Sequence, residues 1–177
     1  MSNPSIYVAC LASYNAGKLY GVHIEFVEGL TPDEVQFAID TMLKKSPVPD
    51  AEEWEIHDSE GFAGFSSNNL DLLCEVATLI HQHGEGAVKG FIGHAGAEML
   101  DEFSTLYCGC FKSEADFCQA HLGEEGGICE AATSIQVFDW ATLDQYIDWE
   151  AIANDAFINS YYSYEESYET VHVYGRQ

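Results

Sequence analysis

Three sets of side chains in this 177-residue chain have types and spacings that could do chemistry. The first is Cys108-x-Cys110 with Cys118 and His121 beyond it, donors of the kind that hold zinc. Their spacing is neither that of a finger nor that of a ribbon. Cys118 and His121 could simply share one helix face, so free or buried thiols are the stronger reading and no metal is expected. The second is His81 and His83, which two residues apart on a helix point in different directions and make a poor ligand pair. The third is the acids, 19 Glu and 11 Asp. With so many carboxylates some pair lies close by chance, so a glycosidase-like acid pair is not readable here. Gly17-Lys18 lacks the upstream glycine and downstream hydroxyl of a phosphate loop, and neither a calcium loop nor a Gly-x-Ser-x-Gly elbow occurs. Nothing argues for an enzyme or a cofactor.

The arrangement of the acids says more than their number. Glu98, Asp101 and Glu102 stand at i, i+3 and i+4, so an α-helix would crowd them on one face with rises of about 4.5 and 6 Å. Like charges so placed cost a helix a few tenths of a kcal/mol, roughly, and no nearby Lys or Arg offsets them. From Ser113 to Gly175 there are 13 Asp or Glu and no Lys or Arg. The plain alternative for any one cluster is a solvated acidic face. A function that wants such clusters is imitation of a phosphate backbone. Two copies, at a net charge of -24 each, would carry the charge of about 80 Å of duplex, on the order of 24 base pairs. The candidate phosphate surrogates are Asp71, Glu75, Glu98, Asp101, Glu102, Glu114, Asp116, Glu124, Glu125, Glu130, Asp144, Asp155, Glu165, Glu166 and Glu169.

That charge also excludes. With 30 acids against 6 bases, direct nucleic-acid binding and attachment to anionic membranes are disfavoured, and the expected partner surface is basic. Self-repulsion at this charge opposes compaction, yet 47% hydrophobic and 13% aromatic residues are enough to fold. The N-terminal MSNPSIYVACLASYN has neither a basic leader region nor a long apolar run, so a cytoplasmic protein with six free cysteines is expected.

The elements that must position these acids follow from periodicity. Ile6–Leu11 and Leu19–Val27 read as strands of a hairpin turning at Asn15-Ala16-Gly17, with Val22, Ile24 and Phe26 inward and His23 and Glu25 outward. Thr31-Pro32-Asp33-Glu34 opens a helix as a capping box, Val35, Ala38, Ile39, Met42 and Leu43 form its stripe, and Pro47 and Pro49 close it. Trp54, Ile56 and Phe62 suggest a third strand, completing a ββαβ unit. From Asn69 the period is helical, through Leu72, Leu73, Val76, Leu79 and Ile80, and a further helix holds Met99, Leu100 and Phe103. Gly109 suggests a turn or bulge and Ser113 a helix N-cap. Glu124–Gly127 reads as a loop, Ile135–Phe138 as a short strand, Thr142-Leu143-Asp144-Gln145 as a capping box and Thr170–Tyr174 as a strand. A single helix from Thr142 to Ile158 would bury Glu150, so two helices are expected, the second capped by Asp148. The expected fold class is α+β in three domains: 1–66 N-terminal α+β, 67–104 helical, and 105–177 C-terminal α+β.

Ile6–Gly21 (IYVACLASYNAGKLYG), Leu100–Phe117 (LDEFSTLYCGCFKSEADF) and Tyr146–Ser163 (YIDWEAIANDAFINSYYS) together resemble the ArdA antirestriction proteins, with a weaker match over Ser66–Ala97. The resemblance implies a cytoplasmic protein carried on mobile elements, an elongated run of three small domains, and a homodimer formed through the C-terminal one. It implies a DNA mimic that occupies the DNA-binding groove of a type I restriction-modification enzyme, at its methyltransferase core, and blocks restriction, with modification a second step it could block. The family's antirestriction motif falls on Leu100, Phe103, Tyr107, Gly109, Phe111, Ser113, Asp116 and Phe117. Its aromatics and Gly109 are expected to form a joint between the helical and C-terminal parts, acting through geometry while the acids act through charge. Two departures stand out: Cys108 and Cys110 flank the motif glycine, and Gly126–Trp140 is apolar where relatives are expected to be acidic. The rivals are an acidic halophile-type protein without mimicry and a carboxylate-dependent hydrolase.

Overall fold

Residues 2–125, 127–134 and 139–176 are described by a computed structural model. They form an α+β protein with a three-stranded antiparallel sheet in each of two compact units, 1–92 and 93–177.

In the first unit β1 (Ser5–Cys10) lies between β2 (Gly21–Glu25) and β3 (Trp54–Glu60), antiparallel to both. The central strand is the apolar one: Ile6, Val8, Ala9 and Cys10 are buried. In β2 burial alternates as expected, with Ile24 buried and His23 and Glu25 exposed. The link between β1 and β2 differs from the expected hairpin turn. Leu11–Asn15 winds into a short helix, α1, because Ser13 is drawn inward, where its hydroxyl meets that of Ser46 at 3.0 Å. Helix α2 (Pro32–Lys44) begins with the capping box read from the sequence: Thr31 Oγ1 accepts from Glu34 N–H, and the Glu34 carboxylate accepts from Thr31 N–H at 2.9 Å. It packs on β1 and β2 through Val35, Ile39 and Met42. Phe62 lies beyond the end of β3 and is buried edge-on against Phe26 at 5.0 Å. Helix α3 (Leu70–His83) is capped by Asn69, whose side chain accepts from the Asp71 and Leu72 N–H groups. It buries Leu73, Cys74, Val76, Ala77, Leu79 and Ile80. Helix α4 (Glu85–Ala95) follows directly, and Glu85 Oε1 accepts from Ala63 N–H at 3.2 Å.

The second unit opens with a departure. Ala97–Glu102 is a 3₁₀ segment, not an α-helix, entered from Gly96 at φ +89 with no side-chain cap. At three residues per turn Glu98 and Asp101 eclipse, while Glu102 rotates about 120° off their row. The expected three-acid face is therefore a two-acid one, and Glu102 is half-buried. A single turn, α5 (Phe103–Leu106), leads into β4 (Tyr107–Phe111), and the sheet runs β4, β6 (Thr170–Gly175), β5 (Tyr161–Ser167). Gly109 has φ +126, and the β4 register against β6 slips between Tyr107 and Gly109, so the expected bulge is present. Helix α6 (Glu114–Cys118) is capped by Ser113, whose Oγ accepts from Asp116 N–H at 3.0 Å. Phe117, Cys118, Ala153 and Val173 form the core between α6, α9 (Trp149–Asn159) and the sheet.

Two further expectations are corrected here. Glu124 and Glu125, expected in a loop, end a π-helix that runs Gln119–Glu125, and Gly123 lies so close to Trp140 and Trp149 that any side chain there would strike their rings. Helix α7 (Ile128–Ser134) follows. Helix α8 (Trp140–Asp144) is capped by Asp139, accepting from Thr142 N–H at 2.8 Å, not by Thr142. Asp144, the acid of the expected box, is turned inward to Gln119 Nε2 at 2.7 Å and Trp149 Nε1 at 2.9 Å. The two-helix reading holds: Asp148 caps α9, accepting from Ala151 N–H at 3.0 Å, and Glu150 is exposed. The strand expected at Ile135–Phe138 lies outside the described residues.

Candidate functional site

The acids converge most clearly in the second unit. The cap at Ser113, the first turn of α9 and the tip of the β5–β6 hairpin enclose an open groove of 610 Å³ whose lining includes Glu114, Glu150, Glu165, Glu169, Lys112 and Tyr168. Each is held by a local rule. Glu114 sits in the first turn of α6, where the helix dipole favours an anion, and Ser163 Oγ donates to its Oε1. Glu150 is placed likewise in the first turn of α9. The hairpin reverses in two residues, Tyr168 and Glu169, between the paired Ser167 and Thr170. Glu169 takes φ +57 there, a conformation usually left to Gly or Asn. An adjoining cavity of 390 Å³ shares Ser113 and Glu150 and adds Asp116, Asp148, Gln119 and Trp149. Lys112 is the one cation among the described lining residues of either cavity.

The remaining predicted acids are distributed. Asp71 and Glu75 are exposed on one face of α3 in the first unit; Glu98, Asp101, Glu130 and Asp155 are exposed in the second. Glu166 follows Glu165 on a strand, so the two point to opposite faces, and Glu166 turns to His172. Asp116 is half-buried and accepts from Lys112 N–H at 3.3 Å. Asp144 has both oxygens engaged inside the unit. The side chains of Glu124 and Glu125 lie outside the described set. Among the described residues no Lys or Arg forms an ion pair with an Asp or Glu; carboxylates meet imidazoles instead, as Glu55 meets His57 and Glu166 meets His172.

Of the residues expected to form the antirestriction motif, Ser113 lines the groove and Asp116 the adjoining cavity, while the aromatic ones pack within the unit. Leu100, Phe103 and Phe117 are buried, the Phe103 and Tyr107 rings stack at 5.0 Å, and Phe111 meets Phe117 edge-on at 5.1 Å. Tyr107 also meets His172, whose Nδ1 lies 3.0 Å from the phenol oxygen while Nε2 lies 3.0 Å from Glu166 Oε2. An ionised Glu166 only accepts, so in the neutral ring Nε2 carries the proton and Tyr107 donates to Nδ1. The order Tyr, His, Glu has the form of a nucleophile with its base, but burial pushes the Tyr107 phenol up to about 12, the wrong direction for activation. The chain instead ties β4, β6 and β5 together.

The cysteines do not gather. Cys110 is exposed, Cys118 is buried with its thiol pushed up by burial, and His121 stacks on Phe117 at 5.1 Å. Among the described residues no group of three or more His, Cys, Asp or Glu could hold a metal ion. No described helix is long and apolar enough to cross a membrane.

Sequence reasoning missed Glu150 and Tyr168 as groove residues. Glu150 was legible, since the Asp148 cap places it in an exposed first turn. Tyr168 carried no signal, because its hairpin lacks the Asn-Gly or Asp-Gly pair that announces such turns.

No curated protein matches the chain. The sequence model described as Antirestriction protein (ArdA) matches residues 6–170, nearly the full length. With that span covered, the chain belongs to the ArdA antirestriction protein family.

Proposed function

We propose that this protein is a non-enzymatic DNA mimic that occupies the DNA-binding groove of a type I restriction-modification enzyme in the cytoplasm, its exposed carboxylates standing in for phosphates. One observation carries the reading: a net charge of -24 is left without a single described pairing of Lys or Arg to Asp or Glu. Carboxylates kept for stability would be expected to find cations; these are kept for an external one. Attraction of this kind accelerates encounter and weakens with salt. The family assignment supports the antirestriction role, and occupancy of the DNA groove at the methyltransferase core would block modification together with restriction. Pairing of two copies and a three-domain division near residues 66 and 104 belong to the same reading. Sedimentation and limited proteolysis test those two points.

The deciding experiment is competition between this protein and duplex DNA for a type I methyltransferase core, repeated over a salt series. Displacement of DNA that fades with salt is expected; failure to displace at low salt would sink the proposal. Reversing one exposed acid, Asp155→Lys, should weaken competition by no more than about fivefold. Neutralising Asp71, Glu75, Glu98, Asp101, Asp155 and Glu165 together should abolish it. Complete loss from the single reversal in a folded protein would contradict a distributed mechanism.

A further inference from the structure

Phosphate imitation accounts for the carboxylates of the groove but not for the ring among them. Tyr168 is 86% exposed, more than Tyr146 at 83% or Leu19 at 79%, and it lines the groove with Glu114, Glu150, Glu165 and Glu169. An aromatic ring left in water is costly unless a partner covers it, and rings of this kind are the usual anchors of protein interfaces. Its backbone is already fixed: Tyr168 sits in a two-residue reversal bounded by the Ser167 and Thr170 pair, so little main-chain freedom is lost when it is covered.

We propose that Tyr168 is a specificity-determining residue of this groove, its ring forming the face on which an arginine guanidinium of the partner stacks while the surrounding carboxylates take the guanidinium N–H groups. This rests on the groove being a partner-binding surface. The chemistry selects arginine over lysine. A guanidinium is planar, weakly hydrated and able to lie flat on a ring while its edge forks to a carboxylate; an ammonium is compact, strongly hydrated and has no face. A site that only imitated phosphate would accept either cation.

The test uses the full chain and two readouts. In the DNA competition assay, Tyr168→Ala should weaken displacement by about 3- to 30-fold, and Tyr168→Phe should stay within about threefold of the parent. The salt slope should be unchanged in both, because no charge is removed. In direct binding, a short arginine-glycine peptide should bind the parent more tightly than its lysine-glycine counterpart, and Tyr168→Ala should erase that preference. Unchanged competition and unchanged peptide preference in Tyr168→Ala, with the parent still displacing DNA, would overturn this inference and leave the proposed function standing. An equal loss in Tyr168→Phe would assign the effect to the hydroxyl and overturn it too. A switch from dimer to monomer in Tyr168→Ala without loss of competition would show the ring covering a second copy. If the parent fails to displace DNA, the proposed function falls, and the arginine preference of the groove still decides the role of Tyr168.

Discussion

His172 shows how much one side chain can organise. It is 4% exposed, sits in the central strand β6, and takes hydrogen bonds on one nitrogen from β4 and on the other to β5. Removing the Tyr107 hydroxyl strands a buried ring nitrogen, so Tyr107→Phe should cost about 1–3 kcal/mol, read from urea unfolding. In a cycle with His172→Phe the double variant should cost less than the sum of the singles; strict additivity would show that the two groups do not interact. Gly21 is constrained differently. A β-carbon there would run into the Val8 carbonyl and the Tyr7 ring across the strand pair, so Gly21→Ala should destabilise the first unit by about 1–3 kcal/mol. An unchanged urea midpoint would refute that close contact.

At the level of elements, the second sheet is held by phenols in their neutral form. Tyr174 stacks on Tyr162 at 4.7 Å, and burial pushes Tyr107 and Tyr162 up to about 12 and Tyr174 higher still. A phenol whose pKa is raised by folding contributes stability that is fully present below its ordinary value of 10 and is lost as pH rises through the folded value. The second unit should therefore unfold between pH 10 and 12, with these tyrosines ionising in one late, cooperative step. Ultraviolet titration followed alongside circular dichroism checks this, and a gradual titration without loss of structure would contradict it. Helix α9 depends on its cap: Asp148→Ala should cost about 1 kcal/mol and loosen the turn that presents Glu150 to the groove.

For the whole molecule the balance of 30 acids against 6 bases is a standing cost. Because the described acids lack Lys or Arg partners, neutralising the six named above should not lower the thermal midpoint, and should flatten its rise with added salt. A variant that lost inhibition and also lost stability would place those carboxylates in the fold instead of the interface. The halophile alternative makes the opposite prediction, a native protein that melts below molar salt.

Read alone, the sequence determined the charge and many of the elements whose signal is local. The Thr31 capping box, the α3 stripe, the Ser113 and Asp148 caps and the Gly109 bulge are written within a few residues, so they were legible. What needed partners distant in the chain was not. Asp144 looked like a phosphate surrogate until Gln119 and Trp149 claimed both its oxygens, and Thr142 looked like a cap until Asp139 took that place. Glu102 looked like the third member of a row until the 3₁₀ winding turned it away. The β5–β6 hairpin, with Glu169 in a left-handed turn no sequence rule favours, is stabilised by pairing to β4 and by Tyr162 on Tyr174, contacts that exist only once the sheet has formed. Tertiary structure alone therefore decided which acids share a groove, and that an exposed ring stands among them.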